Sequence, residues 1–264
     1  MKRAVAVPLA ALVAAFVAGL TTLVSAAAET PGAPAPNTLT RKERADGWRL
    51  LWDGRTTAGW RSAKGTEFPK QGWQIKDGVL SVEETGGAES RAGGDIVTTA
   101  SFAAFELLVD FRLSPGANSG IKYYVDTDLN RGEGSAIGLE YQLLDDARHP
   151  DAKEGRDGNR TLASLYDLIP SRRDKKVNPI GEWNQARIVS DGRHVEHWLN
   201  GQKVLEYERG SAEFRRLVAI SKYTVWPAFG ERPSGPILLQ DHGNAVSFRN
   251  LKIREVKQGS GPTS

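Results

Sequence analysis

The chain has 264 residues, with 35 Lys and Arg against 32 Asp and Glu, 4 His and no Cys, for a formal net charge of +3. The lack of cysteine excludes disulfide staples, zinc–thiolate centres, iron–sulfur clusters, a cysteine nucleophile and a lipid-modified N-terminal cysteine. Acidic and basic residues are interleaved without a long basic run, so nucleic acid is not an expected partner.

Lys2 and Arg3 precede an apolar run over residues 4–24, broken only by Gly19, Thr21 and Thr22, and the run closes on Ser25-Ala26-Ala27-Ala28. This is the pattern of a signal peptide over residues 1–28, which predicts a periplasmic or secreted protein with no stable membrane insertion after its removal. A retained anchor is the competing reading, because the run could span a bilayer. Residues 29–43 begin rich in Pro and Ala and read as a linker, residues 44–257 as one domain, and residues 258–264 as a polar tail expected to be disordered.

The domain is a succession of short runs between turn residues. Residues 73–82 form a hairpin pattern around Asp77-Gly78. Residues 105–113 alternate, with Leu107, Val109, Phe111 and Leu113 on one face and Glu106, Leu108, Asp110 and Arg112 on the other. Further strands are expected over 120–125 and 138–144. A meander over 183–190, 194–199 and 203–207 turns at Asn200-Gly201, and strands over 237–240 and 245–255 close the series. Residues 212–217 could form a turn or two of helix, and residues 160–168 are ambiguous. This spacing predicts an all-β antiparallel jelly-roll sandwich with its ligand site on an open sheet face.

Phosphate-binding loops, zinc-type His-Glu-x-x-His and the Gly-x-Ser-x-Gly elbow are absent. Asp126-x-Asp128-x-Asn130 hints at a calcium loop, but Arg131 stands where the glycine is needed and Ile137 where the bidentate glutamate belongs, so it reads as a polar loop. More informative is the strand over 139–144, where alternation puts Glu140 and Gln142 on one face and Leu139, Tyr141 and Leu143 on the other. A carboxylate two residues from an amide, on a strand leading into Asp145, suits gripping a sugar or supplying a base; equally, it suits an outward, solvated strand face. His242 follows an apolar strand directly, between Asp241 and Gly243, where function or a simple turn cap are both plausible. Trp183 is expected in the core and Trp198 is left open, while His194 and His197 fall on opposite strand faces.

Taken in order, several short motifs resemble the 3-keto-disaccharide hydrolase domain family: Gly47-Trp48-x-x-Leu51-x-Asp53-Gly54, Asn118-Ser119-Gly120-Ile121, Glu140-Tyr141-Gln142-x-Leu144-Asp145, His197-Trp198-Leu199-Asn200-Gly201, Leu239-Gln240-Asp241-His242-Gly243 and Phe248-Arg249-Asn250-x-Lys252-Ile253. The resemblance runs from about Gly47 to Glu255. It implies a concanavalin A-like jelly roll of the lectin/glucanase type, and cleavage of 3-keto-glycosides by hydrolysis or elimination.

Transferred to this chain, the resemblance makes Glu140 or His242 the base that removes the proton on C2, and Arg112, Lys122 or Gln142 the donor to the enolate oxygen. Asp145 would orient a partner or handle the leaving group. Asn118, His197 and Gln240 would contact hydroxyls. A divalent metal held by Glu140 and His242 is an option that no ligand spacing demands. The alternative to an enzyme is a carbohydrate-binding, lectin-like module, for which no titratable Glu140–His242 pair is needed. A third reading, a partner-binding sandwich, would call for a large exposed apolar patch.

Overall fold

The computed structural model describes residues 34–89, 92–132 and 134–256. The signal peptide and the polar tail read from the sequence lie outside these residues. Among the described residues no helix is long and apolar enough to cross a membrane.

Strand β1 (Arg49–Leu50), β2 (Trp60–Ser62), β3 (Trp73–Lys76), β4 (Val79–Val82), β5 (Ile96–Thr98), β6 (Phe105–Leu113), β7 (Asn118–Asp126) and β8 (Ile137–Leu144) occupy the first half. After a long irregular stretch come β9 (Asn184–Ser190), β10 (His194–Leu199), β11 (Gln202–Glu208), β12 (Leu238–Leu239) and β13 (Val246–Glu255). They build an antiparallel jelly-roll sandwich. One sheet of eight strands runs β11-β10-β9-β6-β13-β4-β3, with β1 added beside β13; the other, of five strands, runs β2-β5-β12-β7-β8.

Local chemistry explains the hairpins. Asp77 and Gly78 have φ of 51° and 72°, and Asn200 and Gly201 have 49° and 77°. Two successive left-handed residues make the type I′ turn whose twist matches the flanking strands, and Asn, Asp and Gly tolerate that conformation best. Strand β6 has the phase read from its sequence. Leu107, Val109, Phe111 and Leu113 are buried between the sheets, while Asp110 and Arg112 are only partly covered on the far side.

The core lies between the sheets. The β6 residues meet Tyr123 of β7 and Leu139, Tyr141 and Leu143 of β8, and the Phe105 and Tyr123 rings pack edge to face at 6.2 Å between centroids. Each such side chain contributes about 1.5–3 kcal/mol through its removal from water.

Three outcomes differ from the sequence reading. Residues 37–43, assigned to a linker, belong to the fold: Asn37 donates from Nδ2 to the Gly78 carbonyl and accepts from the Asn250 N–H, each at 2.8 Å. Helix α1 (Arg41–Ala45) then starts on a Thr40–Glu43 capping box. Trp183 is not in the core; it stands half-buried on the outside of the large sheet, with the Arg112 and Arg249 guanidinium groups 4.7 and 4.3 Å from its ring. Residues 212–217 extend into α2 (Ala212–Ala219), capped by Ser211.

The smaller sheet departs from simple alternation. Strands β7 and β8 are buried along nearly their whole length on both faces. The ambiguous segment around 160–168 is one cause. Ala163 and Ser164 exchange backbone hydrogen bonds with Gln142, and the Tyr166 N–H donates to the Glu140 carbonyl at 3.0 Å, so this irregular chain closes the β8 edge. Edge closure of this kind removes the unpaired ladder groups that invite aggregation.

Candidate active site

The site grows from the outward face of β7 and β8. Their register sets Lys122 opposite Glu140 and Gly120 opposite Gln142. The Lys122 Nζ lies 3.5 Å from Glu140 Oε2, and both side chains are almost wholly buried, at 6% and 4% exposure. Gly120 is required for this arrangement. A Cβ there would sit 2.5 Å from Glu140 Oε1, so only glycine lets the carboxylate lie across the strand.

Lys122 is held from behind. It donates to the Ser135 hydroxyl and to the Ala136 carbonyl at 3.2 Å, and Ser135 in turn donates to Asp95. Burial pushes the Asp95 carboxyl up, against the pull of Lys122 and of the donors from Ser135, Asp241 and Ala136. Asp241, 0% exposed, accepts from the N–H groups of Gly93, Gly94 and Gly243 at 3.2, 2.9 and 2.9 Å. These bonds shape the loop that presents His242.

From Glu140 a row of polar side chains leads to that histidine. Gln142 satisfies its surroundings with its amide nitrogen toward Glu140 Oε1 at 3.2 Å and the Ser119 carbonyl at 3.1 Å, leaving its oxygen 3.2 Å from the Asn118 amide. The other end of the Asn118 amide is 3.3 Å from His242 Nε2. The ring of His149 stands across from His242, centroids 6.1 Å apart at 88°. His149 Nδ1 accepts from the Asp151 N–H at 3.2 Å, so the neutral ring carries its proton on Nε2. Burial, with His242 as neighbour, holds the His149 pKa below that of an ordinary histidine.

A second cation closes the site from the opposite wall. Lys222 lies in a 3-10 turn after α2, with its backbone N–H donating to Asp167 at 2.7 Å. Much of Lys222 is open to solvent, but its ammonium end packs 4.1 Å over the Tyr166 ring and feels both Glu140 and Lys122. Burial of that end pushes its pKa down, and the Lys122 charge adds to the effect. Arg160 braces this wall, donating to Asp167 at 2.8 Å and Asp151 at 3.0 Å, while the Tyr166 hydroxyl donates to Asp151 at 2.8 Å.

Of the residues selected from sequence, Glu140, Lys122, Gln142, Asn118 and His242 come together. Gln240 joins them at the rim: it donates to Glu89 at 3.3 Å, and its N–H bonds the Gly120 carbonyl at 3.0 Å. Three others are placed elsewhere. Arg112 is on the outer face of the other sheet against Trp183. His197 is 0% exposed between the sheets, bonded to the Tyr123 hydroxyl at 2.7 Å and the Ala163 carbonyl at 3.0 Å. Asp145, one residue past β8 and out of phase with Glu140, ties a loop, accepting from the Gly116 N–H at 2.8 Å and from Arg148 at 3.0 Å. Burial would raise its carboxyl, but these donors outweigh burial and hold it below the usual range.

Sequence reasoning missed Lys222, Asp95 and Ser135, and gave His149 no role. None of them has a local signature: Ser135 and His149 sit in the loops that enter and leave β8, and Asp95 and Lys222 come from segments distant in sequence.

The donors do not suit a divalent ion on Glu140 and His242. The two Glu140 oxygens face the Lys122 ammonium and the Gln142 amide, and among the described residues no three His, Asp or Glu ligand atoms converge there. Such a cluster occurs at His194, Glu196 and Glu206 on the outside of the large sheet. There the Lys203 ammonium already bridges the two glutamates at 3.2 and 2.7 Å.

Residues 47–254 match the family model described as the 3-keto-alpha-glucoside-1,2-lyase-like domain. The chain belongs to that family. It is 37% identical over 230 residues to the 3-keto-disaccharide hydrolase of Bacteroides thetaiotaomicron, covering 80% of this chain and 79% of that protein. A crystal structure from Parabacteroides distasonis, provisionally described as a glycosyl hydrolase, superposes with a TM-score of 0.73 at 32% identity over 84% of this chain and 100% of the other. A second one from the same organism, with the same description, gives 0.56 at 25% identity over 79% and 99%.

Proposed function

We propose that this chain is an exported carbohydrate-active enzyme that cleaves 3-keto-glycosides by removing the proton on C2. The observation that carries the reading is the buried Glu140 carboxylate, paired with the Lys122 ammonium, within the field of Lys222, and linked through two amides to His242. Family membership supports 3-keto-glycosides as the substrate class.

A ketone at C3 acidifies the C2–H bond. The base takes the proton, and the bonding pair forms the C2–C3 double bond as the carbonyl becomes an enolate. The enolate then re-forms the ketone and expels the C1 substituent, which leaves as an alcohol after receiving a proton. Water adding at C1, with a proton returning to C2, completes a net hydrolysis; without it the outcome is elimination. Such a site needs a base, a proton donor and fixed positive charge near the enolate oxygen.

Glu140 is not the first acceptor, because its oxygens are committed to Lys122 and Gln142. The base is His242, acting directly or through one water. The Lys222 ammonium and the His149 Nε2–H are the donors on the open side, and Glu140 with Lys122 supplies the charged floor.

The test is incubation of the mature protein with 3-keto-trehalose and a 3-keto-β-glucoside, each beside its unoxidised parent, with and without chelator. Cleavage of the keto sugars alone supports the reading. Binding without cleavage would overturn it in favour of a lectin-like module, and loss of cleavage with chelator would overturn the metal-free account.

A further inference from the structure

We infer that Gln142 and Asn118 are positioning residues for His242: their amides, aligned in one direction by Glu140, keep the histidine proton on Nε2 and leave Nδ1 as a free lone pair. The inference deepens the proposed base role of His242 and rests on that reading for its functional meaning.

The direction follows from what surrounds Gln142, which is 0% exposed. With its nitrogen toward Glu140 Oε1 and the Ser119 carbonyl, at 3.2 and 3.1 Å, it donates to two acceptors. Turned the other way it would donate to Asn118 Oδ1 at 3.2 Å, but its oxygen would face those two oxygens with no proton between them. A buried amide does not adopt the orientation that leaves acceptor against acceptor.

Once Gln142 is set, the rest is forced. Its oxygen requires the Asn118 NH2, so the Asn118 amide turns with it and its oxygen takes the place 3.3 Å from His242 Nε2, which must then carry the proton. Every donor points along the row toward Glu140, so each bond polarises the next.

A second observation agrees. His242 Nδ1 is enclosed and has no hydrogen-bond partner among the described residues. An orphaned buried N–H is rarer in proteins than an under-used acceptor, so Nδ1 is better accommodated as a lone pair. Gln142 itself reaches no solvent, and Asn118 is 4% exposed; both act through His242 rather than on the sugar.

The experiment is a long-range proton–nitrogen correlation spectrum of full-length mature protein labelled with 15N histidine. His242 is assigned by the signals lost in His242→Gln, and kcat and KM are measured on a 3-keto-glycoside alongside. Wild-type neutral His242 is expected as the Nε2–H tautomer. Gln142→Leu frees the Asn118 amide, moves His242 toward Nδ1–H and lowers kcat at least about tenfold with KM little changed, as for other bases held in the wrong tautomer. Asn118→Asp, which can only accept, keeps the Nε2–H tautomer, whereas Asn118→Leu does not.

A wild-type Nδ1–H tautomer, an unchanged tautomer in Gln142→Leu, or an Nδ1–H tautomer in Asn118→Asp would each overturn the positioning role. Should Gln142→Leu fail to fold, the two Asn118 variants decide alone. If the tautomers are as expected but His242→Gln cleaves keto sugars normally, the base reading fails while the relay stands.

Discussion

His197 tests how the interior of this sandwich responds to protons, and separates a core histidine from a sugar contact. Its ring donates from Nδ1 to the Ala163 carbonyl and accepts at Nε2 from the Tyr123 hydroxyl, which in turn lies 2.8 Å from the Tyr207 hydroxyl. Among the described residues no carboxylate acts on it. Burial therefore pushes its pKa from 6.5 down to about 4, against a small opposing pull from the Ala163 carbonyl. The unfolded chain takes up a proton at this residue below 6.5 while the folded chain resists until about 4. The unfolded state binds more protons throughout that window, so stability falls as pH falls. At about 1.4 kcal/mol per unit of pKa difference, the loss by pH 4 is about 3 kcal/mol, a large share of a typical domain's about 5–15 kcal/mol.

The assay is urea unfolding at a series of pH values from 7 to 4 for wild type and His197→Gln, which keeps one donor and one acceptor. The wild type should lose about 3 kcal/mol more than the variant across the window. His149 is also depressed, by burial and by His242, and works in the same direction. At His194 the depression by burial is outweighed by Glu208, Glu196 and Glu206, so it works in the opposite direction. Both are common to the two proteins and cancel in the difference. Parallel curves would refute the argument and mean that His197 meets water, as a hydroxyl contact would.

Other consequences follow from the site. Glu140→Gln should lower kcat/KM by roughly 10²–10³ on keto sugars, through loss of the charged floor, checked by steady-state kinetics beside a circular-dichroism spectrum unchanged from wild type. Gly120→Ala puts its methyl 2.5 Å from Glu140 Oε1 and should displace that carboxylate from Lys122, lowering activity at least about tenfold while the melting temperature moves by only about 2–4 °C. Lys222→Met removes the ammonium from the open wall and should cost about 10²-fold in kcat, the scale for loss of one donor to a developing oxyanion. Arg112→Ala, on the far sheet against Trp183, should leave kcat and KM unchanged and cost about 1 kcal/mol in urea unfolding.

The strands were legible where one face of a sheet sees water, because alternation then reports burial directly. In β6 the four apolar positions and the intervening Glu106, Leu108, Asp110 and Arg112 fall on the faces their spacing requires. The same reasoning placed Glu140 and Gln142 together on β8, yet it offered a solvated face as an equal reading, and the structure buries them at 4% and 0% exposure. Phase depends on the strand itself. Cover depends on the chain at 163–166 and on Lys222 and Tyr166, dozens of residues away, and no periodicity in β8 encodes them. Trp183 fails for the converse reason: its size suggested the core, but two guanidinium groups give an indole an equally dry place on the outer face.

The difference between pattern and cover is also the difference between a surface pair and a reactive site. A Lys directly opposite a Glu on an open sheet is worth at most about 1 kcal/mol and does no chemistry. The same pair under the 163–166 segment cannot relax into water, so its charges stay fixed, and Gln142 and Asn118 must take up the hydrogen bonds that water would otherwise make. A buried carboxylate that orients two amides and a histidine has a direction, which a solvated one lacks. That direction is a property of the loops as much as of the strand that bears Glu140. It is why Glu140 and Gln142 could be named from β8 while the way they act on their neighbours could not.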